Sequence, residues 1–461
     1  MTDAVNPMGR RDLWSVWPLR RARLIVPMLL TVALAAPAVA AQEPQPSASG
    51  PAMETPAAAA LGSPASSKAI PFDPAAATRA YLDRMTPEQK ARSDAYFEGG
   101  YWLQLWGVLY GLGVAWLLLG SGISRHIRDW AARVGRRRPV GNWLYAVAYV
   151  ALSTLLTFPL TIYQGFFREH QYELATQTLP EWLRDQLVEL GVEVALFPLL
   201  LIALYGVFRA APRTWWLWGS AVSVLFLVLV LLIGPVFIDP LFNEYKPLAD
   251  PRVKDEILSL ARSSGIETDD VWQFDASRQT TRVSANVSGF MGTMRVRLND
   301  NLLNRCTLPE IKSVMGHEIG HYALNHVYES IVFLGVVLVA GFAFLSWAFA
   351  AALRRWGAGW GVEGIADMAG LPLLAAVFSV FFFLLTPILN TYIRVNEVEA
   401  DLYGLQAARE PDGFAEVALK LGEYRKLEPG AFEEWFFYDH PSGKTRIAMA
   451  MHWKAEELRR R

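Results

Sequence analysis

Residues 307–326 read TLPEIKSVMGHEIGHYALNH and contain His317-Glu318-Ile319-Gly320-His321, an H-E-x-x-H pattern. Thr307 and Glu310 have capping-box spacing, which starts a helix ten residues before the first histidine. On that helix His317 and His321 lie one above the other, so two imidazoles can grip one metal ion. Glu318 lies beside the same face, where its carboxylate can take a proton from a water drawn to the ion. The chain has only seven histidines. A chance match to the pattern therefore has odds below roughly one in a hundred.

The composition around this helix is that of a membrane protein. The chain is 53% hydrophobic and only 19% charged, which favours long apolar segments over a water-soluble surface. A net charge of −1 gives no electrostatic footprint for nucleic acid. Cys306 is the single cysteine. An intrachain disulfide and a multi-cysteine metal site are thereby excluded, and zinc would rely mainly on His and carboxylate.

Along the chain, Arg10, Arg11, Arg20, Arg21 and Arg23 precede an uncharged run, 24–41, that ends in Ala38-Val39-Ala40-Ala41. Residues 1–41 read as a signal peptide with an A-x-A cleavage site, or as an uncleaved N-terminal anchor. The following segment, 42–73, is rich in Ala, Pro and Ser over most of its length and reads as a flexible tether. Residues 74–98 are amphipathic and helical, with a break near Thr86-Pro87. Apolar runs follow at 101–120, 143–166, about 192–208 and 214–238, then at 330–353 and 368–393. These predict six spans, or seven with the N-terminal segment. The expected organisation is an N-terminal membrane domain over 74–238 with four spans and a metallopeptidase domain over 239–461 with two.

Loop charge orients these spans. Arg125, Arg128, Arg133, Arg136, Arg137 and Arg138 lie between the first two, Arg209 and Arg213 between the third and fourth, and Arg354 and Arg355 between the last two. Alternation puts these loops and the N-terminal arginines on one side, the cytoplasm. Segments 239–329 and 394–461 then lie outside, in the periplasm of a bacterial inner membrane. Within the first of them, 251–265 reads as a helix and 271–274 as a short strand. Arg282–Val287 and Met294–Leu298 read as a hairpin around Gly289 and Gly292. The hairpin is either a purely structural small sheet or an edge that holds a peptide by strand addition.

A catalytic zinc needs a third protein ligand and one open position. Glu397 and Asp401, four apart, share a helical face in Arg394-Val395-Asn396-Glu397-Val398-Glu399-Ala400-Asp401. From His321 to residue 353 is 32 residues, and from 368 to Glu397 is 29. If both arms are helical throughout, they differ by only ~5 Å, and an antiparallel hairpin returns Glu397 level with His321. Asp401 is then placed to orient a ligand. The alternative is an ion-paired surface helix in which Arg394 bonds Glu397 at i, i+3. Nine residues past His317, two and a half turns on, His326 is expected to face away from the ligand pair. His126, His170 and His452 read as solvated or structural. On position alone His440, which opens the His440-Pro441-Ser442-Gly443 turn, does too.

Taken together, Pro235-Val236-Phe237-Ile238-Asp239-Pro240-Leu241-Phe242-Asn243, the H-E-x-x-H helix, the Glu397–Asp401 segment and His440-Pro441 with Arg446 resemble the integral-membrane zinc metallopeptidases of the type I CAAX prenyl protease family. The resemblance runs from about residue 74 onward. It implies a mainly α, polytopic membrane protein with a zincin-like α+β catalytic domain, and one Zn2+ per chain held by His317, His321 and Glu397. It implies Glu318 as general base and His440 as a donor to the tetrahedral oxyanion. It also places Asn286 near the substrate strand, and Arg394 and Arg446 close to the site. Eukaryotic members act on the cytosolic side, whereas the charge bias here favours the opposite face, so only the peptide-hydrolysis chemistry carries over.

The expected function is zinc-dependent endopeptidase activity on membrane-associated proteins or peptides. A membrane scaffold with a structural metal is one rival; the intact Glu318 and the open ligand position argue against it. A site-2-type intramembrane protease is the other, and there the motif lies within an apolar span. Here Glu310, Lys312, Asn325 and His326 flank the motif.

Overall fold

The structure, a computed structural model, describes residues 72–266, 268–288 and 295–461. The signal or anchor reading of 1–41 and nearly all of the tether lie outside the described residues. Helices α1 (Pro74–Leu82) and α2 (Pro87–Gly120) part at the predicted break. There Thr86 and Gln89 close a capping box, with the Thr86 N–H donating to Gln89 Oε1 (2.9 Å) and the Gln89 N–H to Thr86 Oγ1 (3.2 Å). Next come α3 (Ile123–Gly135), α4 (Arg138–Ile162), α5 (Arg168–Gln171), α6 (Leu179–Ala210) and α7 (Trp215–Ile233). β1 (Tyr245–Pro247), α8 (Pro251–Ser263), β2 (Val271–Phe274), β3 (Ala285–Ser288), β4 (Arg295–Asn299) and α9 (Asp300–Arg305) form the small α+β part. The chain closes with α10 (Leu308–Ala323), α11 (His326–Trp360), α12 (Leu371–Ala408), α13 (Pro411–Leu421), α14 (Ala431–Phe437) and α15 (Gly443–Arg460).

Among the described residues, six helical stretches are long and apolar enough to cross a membrane: Pro87–Gly120, Arg138–Gln171, Leu179–Ala210, Trp215–Leu241, His326–Trp360 and Met368–Ala408. Each contains one predicted run, except that the fourth run starts one residue early, at Thr214. Their outward faces carry Trp116, Leu155, Leu225, Trp347 and Leu384, each at least 65% exposed. Water would tolerate such a surface poorly, but hydrocarbon is its natural solvent. The protein is thus a multi-pass membrane protein. Its membrane core packs Phe208, Phe333, Phe342 and Phe378 among Leu and Val side chains.

The last stretch, 41 residues, is about 60 Å long at helical rise, twice the hydrocarbon thickness of about 30 Å. Its C-terminal part therefore projects from the bilayer as the spine of the polar domain. At the other end, Arg128 pairs with Asp367 (2.7 Å) and Ser124 Oγ donates to Ala369 O (2.7 Å). The arginine-rich helix α3 that follows α2 and the turn between α11 and α12 therefore share one face of the molecule. The H-E-x-x-H helix lies at the opposite end of α11.

The sheet runs β1-β2-β4-β3, with β2 and β4 parallel and the outer pairs antiparallel. The predicted hairpin appears as β3 against β4, Ala285 opposite Leu298 and Val287 opposite Val296. Its tip, 289–294, lies outside the described residues. Val271, Val296 and Leu298 bury one sheet face against Ile257 and Ala261 of α8 and Ile311, Met315 and Ile319 of α10. The α10 residues recur every four positions, the spacing of one helical face. β1 and the parallel pairing had no signal in the local pattern.

One assumption about the arms fails. Asn325 adopts a left-handed conformation, φ 62°, so α10 ends before α11 begins. The hairpin sense survives the break, because α10 still runs antiparallel to the projecting part of α12. Gly316 lies against Gly404, and Gly320 against Ala400.

Candidate metal centre and active site

The small residues of α10 and α12 set the geometry of the site. With no side chains between them, the two backbones approach closely, and the side chains flanking the contact converge. His317 Nε2 lies 3.1 Å from His321 Nε2 and 3.2 Å from Glu397 Oε2, while Glu397 Oε1 lies 3.3 Å from His321 Nε2. One ligand atom from each of the three residues can be chosen with all of them within 4.8 Å of one another.

This donor set fits a cation. Asp401 Oδ1 lies 2.7 Å from His317 Nδ1, so that nitrogen carries the ring proton and Nε2 presents a lone pair. Glu397 Oε2 is buried and faces Nε2 of both His317 and His440 at 3.2 Å, with no hydrogen bond of good geometry among the described residues. Burial alone would drive the His317 pKa down. The Glu397 and Asp401 carboxylates outweigh it and push the imidazole up to about 10. The cluster therefore favours one positive charge at its centre, which a divalent metal supplies without a proton. His321, under burial and beside His317, is driven down and favours its neutral, ligating form.

Around these three, Asp401 is fully buried and also accepts from Arg446, Nε to Oδ2 at 2.9 Å and Nη2 to Oδ1 at 2.5 Å. Arg446 thus reaches the site through Asp401 as well as lining the neighbouring cavity. That cavity is also lined by Glu318, Ser284, Ala285 and His440, which puts the carboxylate, the β3 strand and His440 around one space. His440 Nε2 lies 3.2 Å from Glu397 Oε2, and its Nδ1 lies 2.8 Å from Asp439 Oδ1. Asn286 sits on β3 opposite Arg297, its Oδ1 buried and without a hydrogen bond among the described residues.

Arg394 does something other than pair with Glu397. Its Nη1 donates to the carbonyls of Glu434 (2.9 Å) and Tyr438, and Nη2 donates to Thr391 Oγ1 (3.2 Å). It ties the chain leading into His440 onto α12. His170 is structural, with its ring nitrogens 2.8 Å from Phe166 O and 2.9 Å from Gln177 O.

His326 corrects the sequence reading. It is 3% exposed, and its Nδ1 lies 2.9 Å from His321 Nδ1. The helical extrapolation that turned it away fails because the left-handed Asn325 intervenes and resets the direction of the chain. Its Nε2 faces Glu399 Oε2 at 3.5 Å. Asp439 likewise escaped the sequence reading. Its only signal was adjacency to His440.

A profile described as "Peptidase family M48" matches residues 247–454. One described as "CAAX prenyl protease N-terminal, five membrane helices" matches 74–244; four of the six candidate spans fall there. The "Uncharacterized metalloprotease YhfN" of Bacillus subtilis is 30% identical over 368 residues, 79% of this chain and 86% of that protein. The "CAAX prenyl protease 1" of Saccharomyces cerevisiae is 33% identical over 185 residues, 40% of this chain and 41% of that protein. Among solved structures, that of S. mikatae Ste24p has the same fold, with TM-score 0.69 at 20% identity, over 82% of this chain and 94% of that one.

Proposed function

The chain belongs to peptidase family M48 and is a membrane-embedded metallopeptidase; from that premise we propose that it is a zinc endopeptidase acting on membrane-associated proteins or peptides from the periplasmic face. The observation that carries the site assignment is the convergence of His317 Nε2, His321 Nε2 and the Glu397 carboxylate on one point beside Glu318. Two imidazoles and a carboxylate are a zinc ligand set that leaves an open position. Zinc, when bound there, supplies a Lewis acid that polarises the scissile carbonyl and the attacking water.

The chain's own residues do the rest. The Glu318 carboxylate accepts a proton from the attacking water and delivers it to the leaving amine nitrogen. His440 has Asp439 at Nδ1 and turns Nε2 towards the site beside Glu397; in its imidazolium form Nδ1–H donates to Asp439 and Nε2–H donates to the oxygen that gains charge. Asp401 fixes the tautomer of His317. The outer edge of β3, unpaired among the described residues, flanks the cavity and suits an extended peptide joined by main-chain hydrogen bonds, with Asn286 on the same strand. The periplasmic assignment is supported by the arginine-bearing helix α3, which packs on the turn between α11 and α12, at the end of α11 remote from α10.

The deciding experiment compares the parent with Glu318→Gln, measuring bound zinc and cleavage of a quenched peptide. Both proteins are expected to hold about one zinc, with cleavage confined to the parent. Equal cleavage by the variant would sink the mechanism.

A further inference from the structure

Helix α14, Ala431-Phe432-Glu433-Glu434-Trp435-Phe436-Phe437, is built inside out for a helix in water. Its two carboxylates turn inward and are paired. Glu433 accepts from Tyr101 Oη (2.8 Å) and from the Gly430 N–H (3.0 Å), and lies 3.1 Å from Lys426 Nζ; Glu434 accepts from the Ser442 N–H (2.9 Å). Its aromatics turn outward, with Phe432 68% and Trp435 47% exposed. In water this arrangement gives away both the hydration of the acids and the burial of the rings. It is the expected arrangement where the outside is not water.

The position of α14 says what the outside is. Phe437 stacks on Tyr101 of α2, centroids 3.8 Å apart, and Tyr101 opens the apolar run of that span. One and five residues further along α2, and one turn apart, Trp102 (65% exposed) and Trp106 (58%) form an outward aromatic stripe, the composition of a bilayer interface. On the other side, Asn390 Nδ2 of α12 donates to Phe436 O (2.7 Å), where α12 passes from its apolar half to the segment bearing Glu397. The exposed rings of α14 are thus continuous with the lipid-facing surface of two spans.

We propose that α14 is an interfacial membrane-binding helix, with Phe432 and Trp435 seated in the outer edge of the lipid bilayer about 5–10 Å below the headgroup boundary. The chain passes from α14 straight to His440, and Arg394 clamps that connection to α12. The helix therefore fixes the height of the active site above the bilayer. This deepens the reading of the substrates as membrane-associated.

The test is nitroxide accessibility in proteoliposomes. Spin labels are placed singly at Phe432→Cys and, as an independent variant, at Trp435→Cys, in a Cys306→Ser protein. Labels at Trp116→Cys and Lys246→Cys serve as lipid and water references. The expected result at both test positions is collision with oxygen favoured over a nickel chelate, several-fold above the Lys246 reference. A ratio equal to that reference at both positions overturns the proposal. So does spin–spin broadening that grows with the protein-to-lipid ratio, which would assign the face to a second copy. The readout does not involve peptide cleavage, so it can fail while the peptidase reading stands.

Discussion

A Cβ built on Gly404 would fall 2.7 Å from the backbone nitrogen of His317, so the first metal-ligand candidate and the helix carrying the third touch main chain to main chain. Gly316 and Gly320 make the reciprocal approach from α10, where a Cβ would meet Gly404 O at 3.0 Å and Ala400 O at 3.1 Å. The backbone contact leaves no flexible side chain to yield. Small residues four apart on each helix thereby decide how far Glu397 stands from the two histidines.

Gly404→Ala is expected to destabilise the protein and loosen the metal site. Helix propensity alone would favour Ala by about 1 kcal/mol. Overpacking against an immovable backbone costs about 1–3 kcal/mol and should win. Tm in detergent and metal content of the purified variant check this; both unchanged would refute the close-contact argument.

Asp401→Asn should act twice. It leaves the buried Arg446 guanidinium without its counter-charge, at about 3–5 kcal/mol, and weakens the hold on His317, lowering metal affinity about 10- to 100-fold. The double variant Asp401→Asn/Arg446→Met removes both charges and should regain most of the stability while affinity stays low. Calorimetry and competition with a chromogenic chelator separate the two effects. Recovery of affinity together with stability would reduce Asp401 to a structural role.

His326→Phe should lower metal affinity about 10-fold with little change in fold. For His321 to present Nε2 to the metal, its Nδ1 must carry the proton and donate to His326 Nδ1, 2.9 Å away. Phenylalanine fills the same buried space without accepting. Glu399→Gln should have a smaller effect, because Glu399 is partly exposed and 3.5 Å from the ring. An affinity equal to the parent's in His326→Phe would remove His326 from the site.

Reporter fusions at residues 240 and 461 should both give periplasmic signals, alkaline phosphatase active and a cytoplasmic reporter silent. The expectation rests on the arginines around Arg128, Arg209 and Arg354 lying at the end of the spans remote from His317. Cytoplasmic activity at both positions would invert the protein.

Much of this protein was legible in one dimension. Apolar length alone marked the six spans, because hydrocarbon demands continuous stretches, and the capping box with H-E-x-x-H marked α10. The acidic pair Glu397 and Asp401 could be singled out by spacing, since two arms of nearly equal length return the chain to its starting level, even though the first arm is broken at Asn325. The position of His326 could not be read that way. One left-handed residue, Asn325, redirects the chain, and a period of 3.6 carries no information across such a break. Nor could the roles of Arg394 and Arg446. Arg394 binds carbonyls 40 and 44 residues away, and Arg446 a carboxylate 45 residues away. The sequence by itself determined which segments enter the bilayer and which residue types could hold a metal. Only the tertiary structure decided how those side chains meet, because that depends on two helices closing to backbone contact at Gly316, Gly320 and Gly404, a long-range fit that local pattern does not encode.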